Sequence, residues 1–303
     1  MRRRSLSRSN SKGGKRSLWR YPTFPAAPNL TRLLLGLLFS SGVGLLAYQR
    51  RSLSRSGVVG AVITGTTTVG LGGWTWGLSL IFFFVSSSLF SHFRAKDKAL
   101  TAADKFSKGS QRDIGQVAAN GGLATMIALG YGLSKSPVIK ESLQAGYVGA
   151  LATATADTWA TELGVLSPQP PRLITTGEVT TPGTSGALTL LGTGAASAGA
   201  AALGLAFWLL QSCRRASNHL PLIALASGLI GSLFDSLLGA TVQAIYFCPT
   251  CAKETERHVH NCGTRTHPLR GLPWVNNDVV NFLATLLGAL VAMLMHLILR
   301  NDK

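Results

Sequence analysis

Acidic side chains are what this chain has least of. Its 303 residues hold 12 Asp and Glu against 29 Lys and Arg, a net charge of +17, and no acid occurs before Asp97. Only 14% of the residues are charged while 46% are hydrophobic. That balance excludes an ordinary soluble globule and places the chain among polytopic membrane proteins. Cysteine is also scarce: there are four, three of them clustered, which excludes a disulfide framework. Residues 1–29 (MRRRSLSRSNSKGGKRSLWRYPTFPAAPN) lack an apolar core, so they are no secretory signal. Arg/Ser-rich and unpatterned, they read as a basic tail on anionic lipid or as an organelle transit segment of the same composition. The long apolar runs that follow make lipid headgroups, rather than nucleic acid, the counter-surface for the positive charge.

Those runs come in spanning lengths near ~20 residues: Leu30–Tyr48, Gly57–Gly72, Trp74–His92, Ile114–Leu133, Ser142–Leu166, Gly186–Gln211, His219–Ala244 and Asn277–Leu299. The expected fold is therefore all-α, a polytopic membrane bundle of about eight helices forming one domain over residues 30–303. A Cys/His loop, residues 245–276, is inserted before the last helix. With eight crossings, the first, third, fifth and seventh loops share a face, and all the long polar loops are among them. The positive-inside rule puts that face in the cytosol or stroma once the basic tail is set aside.

The stretch from Ala150 to Gly186 concentrates the chemistry. Asp157 and Glu162 stand in an apolar helix, where carboxylates are costly and rarely kept without a partner. Five residues apart, they lie roughly 140° around the helix, so they bracket a site rather than chelate as a pair. A second apolar helix carries Gly228-x-x-Gly231-x-x-x-Asp235-x-x-x-Gly239, glycines that admit close helix approach with an acid at the contact. Asn277 and Asp278, with Asn276 and Asn281, open the last helix, as caps or as polar site residues. Three acids on facing helices are either structural polar contacts or a Mg²⁺ site; the phosphate-type loop beside them favours Mg²⁺. That loop runs from Arg172 and Thr175 to Pro182-Gly183-Thr184-Ser185-Gly186, directly before an apolar segment, and a helix N-terminus attracts anions. Lys108, Arg112 and, further along, Asn120 offer phosphate contacts from the basic loop and the helix after it, or form a solvated charge run.

Cys248-Pro-Thr-Cys251, followed by His258, His260 and Cys262-Gly, has the spacing of metal ligands. Two tight turns and one histidine as fourth ligand suit a structural Zn²⁺, like a zinc knuckle. A reactive dithiol or a disulfide are the alternatives.

The runs Gly109-x-Gln111-Arg112, Ala156-Asp157-Thr158-Trp159-Ala160-Thr161-Glu162-Leu163-Gly164, Pro171-Arg172-Leu173-Ile174-Thr175-Thr176, Gly231-Ser232 with Asp235-Ser236, and Asn276-Asn277-Asp278-x-Val280-Asn281 resemble the transmembrane protein 19-like family of integral membrane proteins. The resemblance runs from about Gly57 to the C-terminus. One plant and cyanobacterial branch of that family is the phytyl-phosphate kinase of tocopherol synthesis. Asp157, Ala160 and Gly164 before a Pro-Gly-Thr loop are also similar to the CTP-using phytol and dolichol kinases. The resemblance implies transfer of a phosphoryl group from a nucleoside triphosphate, CTP above all, to an isoprenyl monophosphate such as phytyl phosphate. The setting implied is a bacterial or cyanobacterial membrane, or a plastid one. Asp157, Glu162 and Asp235 would then hold Mg²⁺, while Arg172, Arg112 and Lys108 steady phosphates. The Gly183–Gly186 amides would take the nucleotide β/γ groups, and the prenyl tail would lie among the Gly/Ala-rich helices. A transporter of prenyl phosphate or ions, or a non-catalytic assembly protein docking through the zinc loop, are the rival readings.

Overall fold

The structure is a computed structural model that describes residues 30–102, 105, 111–211 and 219–301. The basic tail, residues 1–29, and Lys108 lie outside the described residues.

Every apolar segment forms helix. The elements are α1 (Leu30–Gln49), α2 (Arg55–Thr67), α3 (Trp74–His92), α4 (Ala95–Ala102), α5 (Ile114–Val117), α6 (Leu123–Leu133), α7 (Pro137–Gly164), α8 (Leu190–Leu210), α9 (Leu220–Thr241) and α10 (Asn277–Asn301). A π-helical turn, Thr68–Gly72, extends α2, and a second, Ala118–Gly122, joins α5 to α6. Local chemistry fixes the starts. The Ser54 hydroxyl accepts from the Gly57 amide at 3.1 Å, Asp113 and Gln116 form a capping box, and Ser136 caps α7 with Pro137 in its first turn. Gly73, at φ 101°, makes the break before α3.

Among the described residues, five helices are long and apolar enough to cross a membrane: Leu30–Gln49, Trp74–His92, Leu190–Leu210, Leu220–Thr241 and Asn277–Arg300. The other three of the eight expected segments are helical without meeting that measure. Two are interrupted by the π turns, and α7 carries Lys140, Glu141, Asp157 and Glu162. Eight crossings are thus an expectation that helix length and apolarity do not by themselves establish.

Helix α7 is the axis of the bundle. Ala145 to Ala156 are buried without interruption, as expected of a helix apolar on all sides. Its small residues let α8, α9 and α10 close in; a methyl group at Gly228 would press on Ala200 and on the Ala152 backbone. Trp76 packs in tilted contact with Tyr131 and with Tyr147 of α7, at ring-centroid distances of 4.5 and 4.2 Å, and the Tyr147 hydroxyl donates to the Trp76 carbonyl at 2.6 Å.

The four long or polar odd loops meet at one end. The Ser54 amide donates to the Arg112 carbonyl and the Arg112 amide to that of Ser52, both at 3.0 Å. The Glu256 amide donates to the Lys105 carbonyl at 3.0 Å. Two small sheets add to the expected all-α architecture. β1 (Arg172–Leu173) pairs antiparallel with β2 (Ala187–Leu188). In the Cys/His loop, β3 (Ile245–Cys248) is the centre of an antiparallel ribbon between β4 (Lys253–Thr255) and β5 (His267–Arg270). The Ile-Tyr-Phe-Cys run of β3, buried at three of its four positions, has the β-branched and aromatic side chains that favour a strand.

Candidate functional site

The odd-loop end of the bundle encloses a cavity of about 570 Å³. Its lining unites much of what the sequence singled out: Arg112, Asn120, Asp157, Glu162, Asp235 and Asn277, with the loop Pro182–Gly186 over the top.

One half is acidic. Asp157, on the last turns of α7, hydrogen-bonds Ser232 of α9. Asp235 lies one turn beyond Ser232, where the charges of Asp157 and Glu256 both act on it. The Asp235 Oδ2 atom is buried and has no hydrogen-bond partner among the described residues. Glu256 comes from the ribbon. Its Oε1 accepts from Gln243 Nε2 at 2.8 Å and from Ser185 Oγ at 3.3 Å.

The other half is cationic. Lys98 Nζ lies 2.5 Å from Glu162 Oε2, and the Ser91 hydroxyl donates to Glu162 Oε1 at 2.6 Å. Arg112 lies near enough for Glu162 to favour its charge, although burial pulls its pKa down to about 10, so it is a cation at neutral pH. Glu162 therefore faces Lys98 and Arg112 on the cationic side, while Asp157 faces Asp235. Both acids of α7 line the cavity, one on each side.

A half-buried ion pair is costly to break singly, about 3–5 kcal/mol. Glu162→Gln and Lys98→Met should each lower the thermal midpoint, and the double variant should recover part of the loss. Strictly additive shifts in a double-mutant cycle would show that the pair is not coupled.

The glycine loop differs from expectation in one respect. Gly183 to Gly186 do not form the first turn of α8, which starts at Leu190 with Thr189 as its cap. Gly186 is instead wedged backbone-to-backbone against Ala240 at φ 82°, a position that only glycine fills without strain. Two cations pin the loop. Lys105 Nζ donates to Thr184 Oγ1 at 2.6 Å, and Arg270 of β5 donates to the Gly239 and Ser185 carbonyls at 2.8 and 3.3 Å.

Several expected residues lie elsewhere. Arg172 is exposed and not in the lining; its Nη1 donates to the Gly177 carbonyl at 2.8 Å, tying its own hairpin. Thr175 is exposed in that hairpin turn. Asp278 sits in the first turn of α10 outside the lining, and Asn276 caps that helix by accepting from the Val279 amide at 3.1 Å. Asn277 and Asn281 do reach the cavity. Lys98, Glu256, Arg257 and Asn261 are cavity residues that the sequence did not single out. The only signal for Glu256 and Arg257 was their place inside the Cys/His loop.

In that loop the ligand atoms of Cys248, Cys251, His260 and Cys262 all lie within 4.8 Å of one another. His258 is the histidine left out; its ring packs on Tyr246 at a centroid distance of 4.4 Å. The three cysteines are free thiols. Hydrogen bonding with Thr264, and then with His260, pulls the Cys262 thiol down to about 6, toward the thiolate that binds metal. The cluster is a Cys/His metal-binding arrangement, and it closes the turn end of the β3–β4 hairpin, whose opposite end leads into Glu256 and Arg257.

Fold and site together define a helical membrane protein with a polar, charge-divided cavity at one end of its bundle. Residues 38–289 match the family described as Integral membrane protein DUF92, and the chain belongs to that family. It is similar to Protein PGR of Arabidopsis thaliana, 34% identical over 275 residues that cover 84% of this chain and 93% of that protein. Uncharacterized membrane protein MJ0933 of Methanocaldococcus jannaschii is 30% identical over 269 residues, 88% of this chain and 95% of that protein. Protein VTE6, chloroplastic, of Arabidopsis thaliana is 27% identical over 272 residues, 88% of this chain and 71% of that protein. No solved structure matches.

Proposed function

We propose that the protein is a prenyl-phosphate kinase that transfers the γ-phosphoryl group of a nucleoside triphosphate, CTP foremost, to an isoprenyl monophosphate such as phytyl phosphate. The observation that carries this reading is the division of one cavity between Asp157 and Asp235 on one side and Lys98 and Arg112 on the other. Two polyanions that must be brought together need such a divided site. Cations hold their phosphates, and acids hold the metal that accompanies a nucleotide. The family membership and the resemblance to the kinase branch support the same reading.

In the reaction, an oxygen of the prenyl monophosphate attacks the γ-phosphorus. A new P–O bond forms, the bond to the β-phosphate oxygen breaks, and the nucleoside diphosphate leaves with the electron pair. The acceptor is mostly dianionic at neutral pH, because its second pKa is about 6, so no general base is required. Arg112 and Lys98 orient the acceptor phosphate, and the Pro182–Gly186 loop with Arg257 walls the donor's phosphates. Asn120, Asn277 and Asn281 provide neutral amide donors between them.

Magnesium fits the acidic half. The donors there are hard carboxylate oxygens, one of them buried and unpartnered among the described residues. Asp157 and Asp235 would hold it, with Glu256 beside them. Once bound, Mg²⁺ supplies neutralisation of the charge that develops on the transferred phosphoryl group. The site faces the cytosol or stroma of a bacterial or plastid membrane, where nucleotide is available.

Purified protein incubated with phytyl phosphate and each of CTP, ATP, GTP and UTP should yield phytyl diphosphate, fastest with CTP. No diphosphate from any of the four overturns the proposal.

A further inference from the structure

A second, narrow cavity of about 70 Å³ lies between α1, α2 and α3. Phe39 and Val43 of α1, Ala61 of α2, and Ile81 and Phe84 of α3 line it, and its surface is almost wholly apolar. It has no overlap with the acidic half of the polar cavity, yet the two share one wall: Arg112, Gln116 and Asn120 line both. The outer faces of these helices present exposed Leu34, Leu38, Val59 and Ile63. Phe39 is itself 39% exposed, so the cleft opens sideways toward lipid.

The shared wall is unusual chemistry for a lipid-facing cleft. The Arg112 guanidinium lies 5.6 Å from the Phe84 ring centroid and 6.0 Å from that of Phe83, and its Nη1 donates to Ser88 Oγ at 3.3 Å. Aromatic faces hold a cation in an otherwise apolar setting. Asn120 sits on the π turn Ala118–Gly122 and donates to the Gln116 carbonyl at 3.2 Å. π turns of this kind recur at functional sites. A bound molecule that filled both spaces would need an anionic head against Arg112 and a single hydrocarbon chain directed away from it. At about 70 Å³ the space seats only the first carbons of one chain next to the head, and the rest of the chain continues sideways among the bilayer tails.

We propose that the cleft between α1, α2 and α3 is the tail site of the lipid acceptor, entered sideways from the bilayer, with Arg112 marking the junction between head and chain. This rests on the prenyl-phosphate reading and deepens it, because it moves the chain away from the Gly/Ala-rich helices among which the resemblance implied it. Ala61 and Val43 become residues that set which chains fit. A larger side chain at either fills the slot and leaves the polar cavity untouched.

The test uses full-length protein in nanodiscs and dodecyl phosphate bearing a diazirine on the carbons next to the phosphate. Photolabel should fall on α1 to α3, at or beside Phe39, Val43, Ile81 and Phe84. Excess dodecyl phosphate should compete it and dodecanol should not. Ala61→Phe and Val43→Phe, two variants so that misfolding of one does not decide the matter, should each cut labelling at least fivefold. Label on α8 or α9 around Ala196 and Leu229, label indifferent to the head's charge, or undiminished label in both variants overturns the tail site. The kinase reading is scored separately in the same variants with 3-methylbutyl phosphate, whose short chain does not need the cleft. Head-dependent labelling without diphosphate from any acceptor would remove the kinase and leave the tail site. Normal turnover of phytyl phosphate in both variants, with label elsewhere, would do the reverse.

Discussion

Asp235→Asn is expected to abolish phosphoryl transfer while leaving a folded, membrane-inserted protein, and Asp157→Asn to do nearly the same. The exchange is close to isosteric and keeps hydrogen-bonding capacity. A purely structural role, such as the bond between Asp157 and Ser232, should therefore survive it. Loss of a metal-holding carboxylate should instead cost a thousandfold or more in rate, about 4 kcal/mol of transition-state stabilisation. Asp235 should be the more sensitive, since one of its oxygens is buried with no partner among the described residues. Removing an acid from this buried, unpartnered position should raise the thermal midpoint of the metal-free protein. Added Mg²⁺ should raise the midpoint of the wild type and not that of either variant. Wild-type rates in both variants would remove the metal site, and with it the residue-level basis for a kinase.

The second large effect should come from the ribbon. Purified protein should carry one Zn²⁺ per chain, and Cys248→Ser with Cys251→Ser should lose it. Segments below about 40 residues rarely fold on a hydrophobic core alone. Structural zinc contributes about 10–16 kcal/mol in small metal-bound domains. Without it, the hairpin that projects Glu256, Arg257 and Asn261 into the cavity loses its anchor. Transfer should therefore collapse in the double variant although no cysteine touches substrate. Hydrogen exchange should rise across residues 245–276 and stay unchanged in α7 to α9. Zinc absent from the wild type, or unaltered exchange in the double variant, would contradict this account.

What was legible in the sequence follows from where each residue stands. Asp157, Glu162 and Asp235 were conspicuous because a charge in an apolar helix costs too much to be incidental. The close approach of α9 to α7 could be read from Gly228 and Gly231, since the absence of a side chain has one use there. Lys98 was invisible because a lysine in a basic loop looks solvated until a partner is found, and Glu162 lies 64 residues further along. Glu256 was hidden for a similar reason: it follows Cys248 and Cys251 and read as part of a metal loop. Arg172 was overvalued because its hairpin folds back on itself and satisfies the guanidinium with the Gly177 carbonyl. The choice of His260 over His258 depended on which imidazole the turn before Gly263 aims inward, and spacing alone does not decide that. Helix positions were readable from apolarity. The number of crossings was not, because α2 and the α5–α6 pair are broken by π turns that composition does not register.

The length of α7 has a further consequence. Its 28 residues run about 42 Å at roughly 1.5 Å per residue, and about 39 Å across the membrane even at a tilt of about 20°. The hydrocarbon layer is only about 30 Å thick. One end of α7 must therefore emerge, and the end that carries Asp157 and Glu162 is the one the polar loops cover. If α7 crosses the membrane, the cavity stands at the level of the lipid headgroups, a boundary where, on the proposed kinase reading, neither reactant has to change phase. The proposed triphosphate would arrive there without entering hydrocarbon, and the proposed lipid monophosphate would present its head without withdrawing its chain.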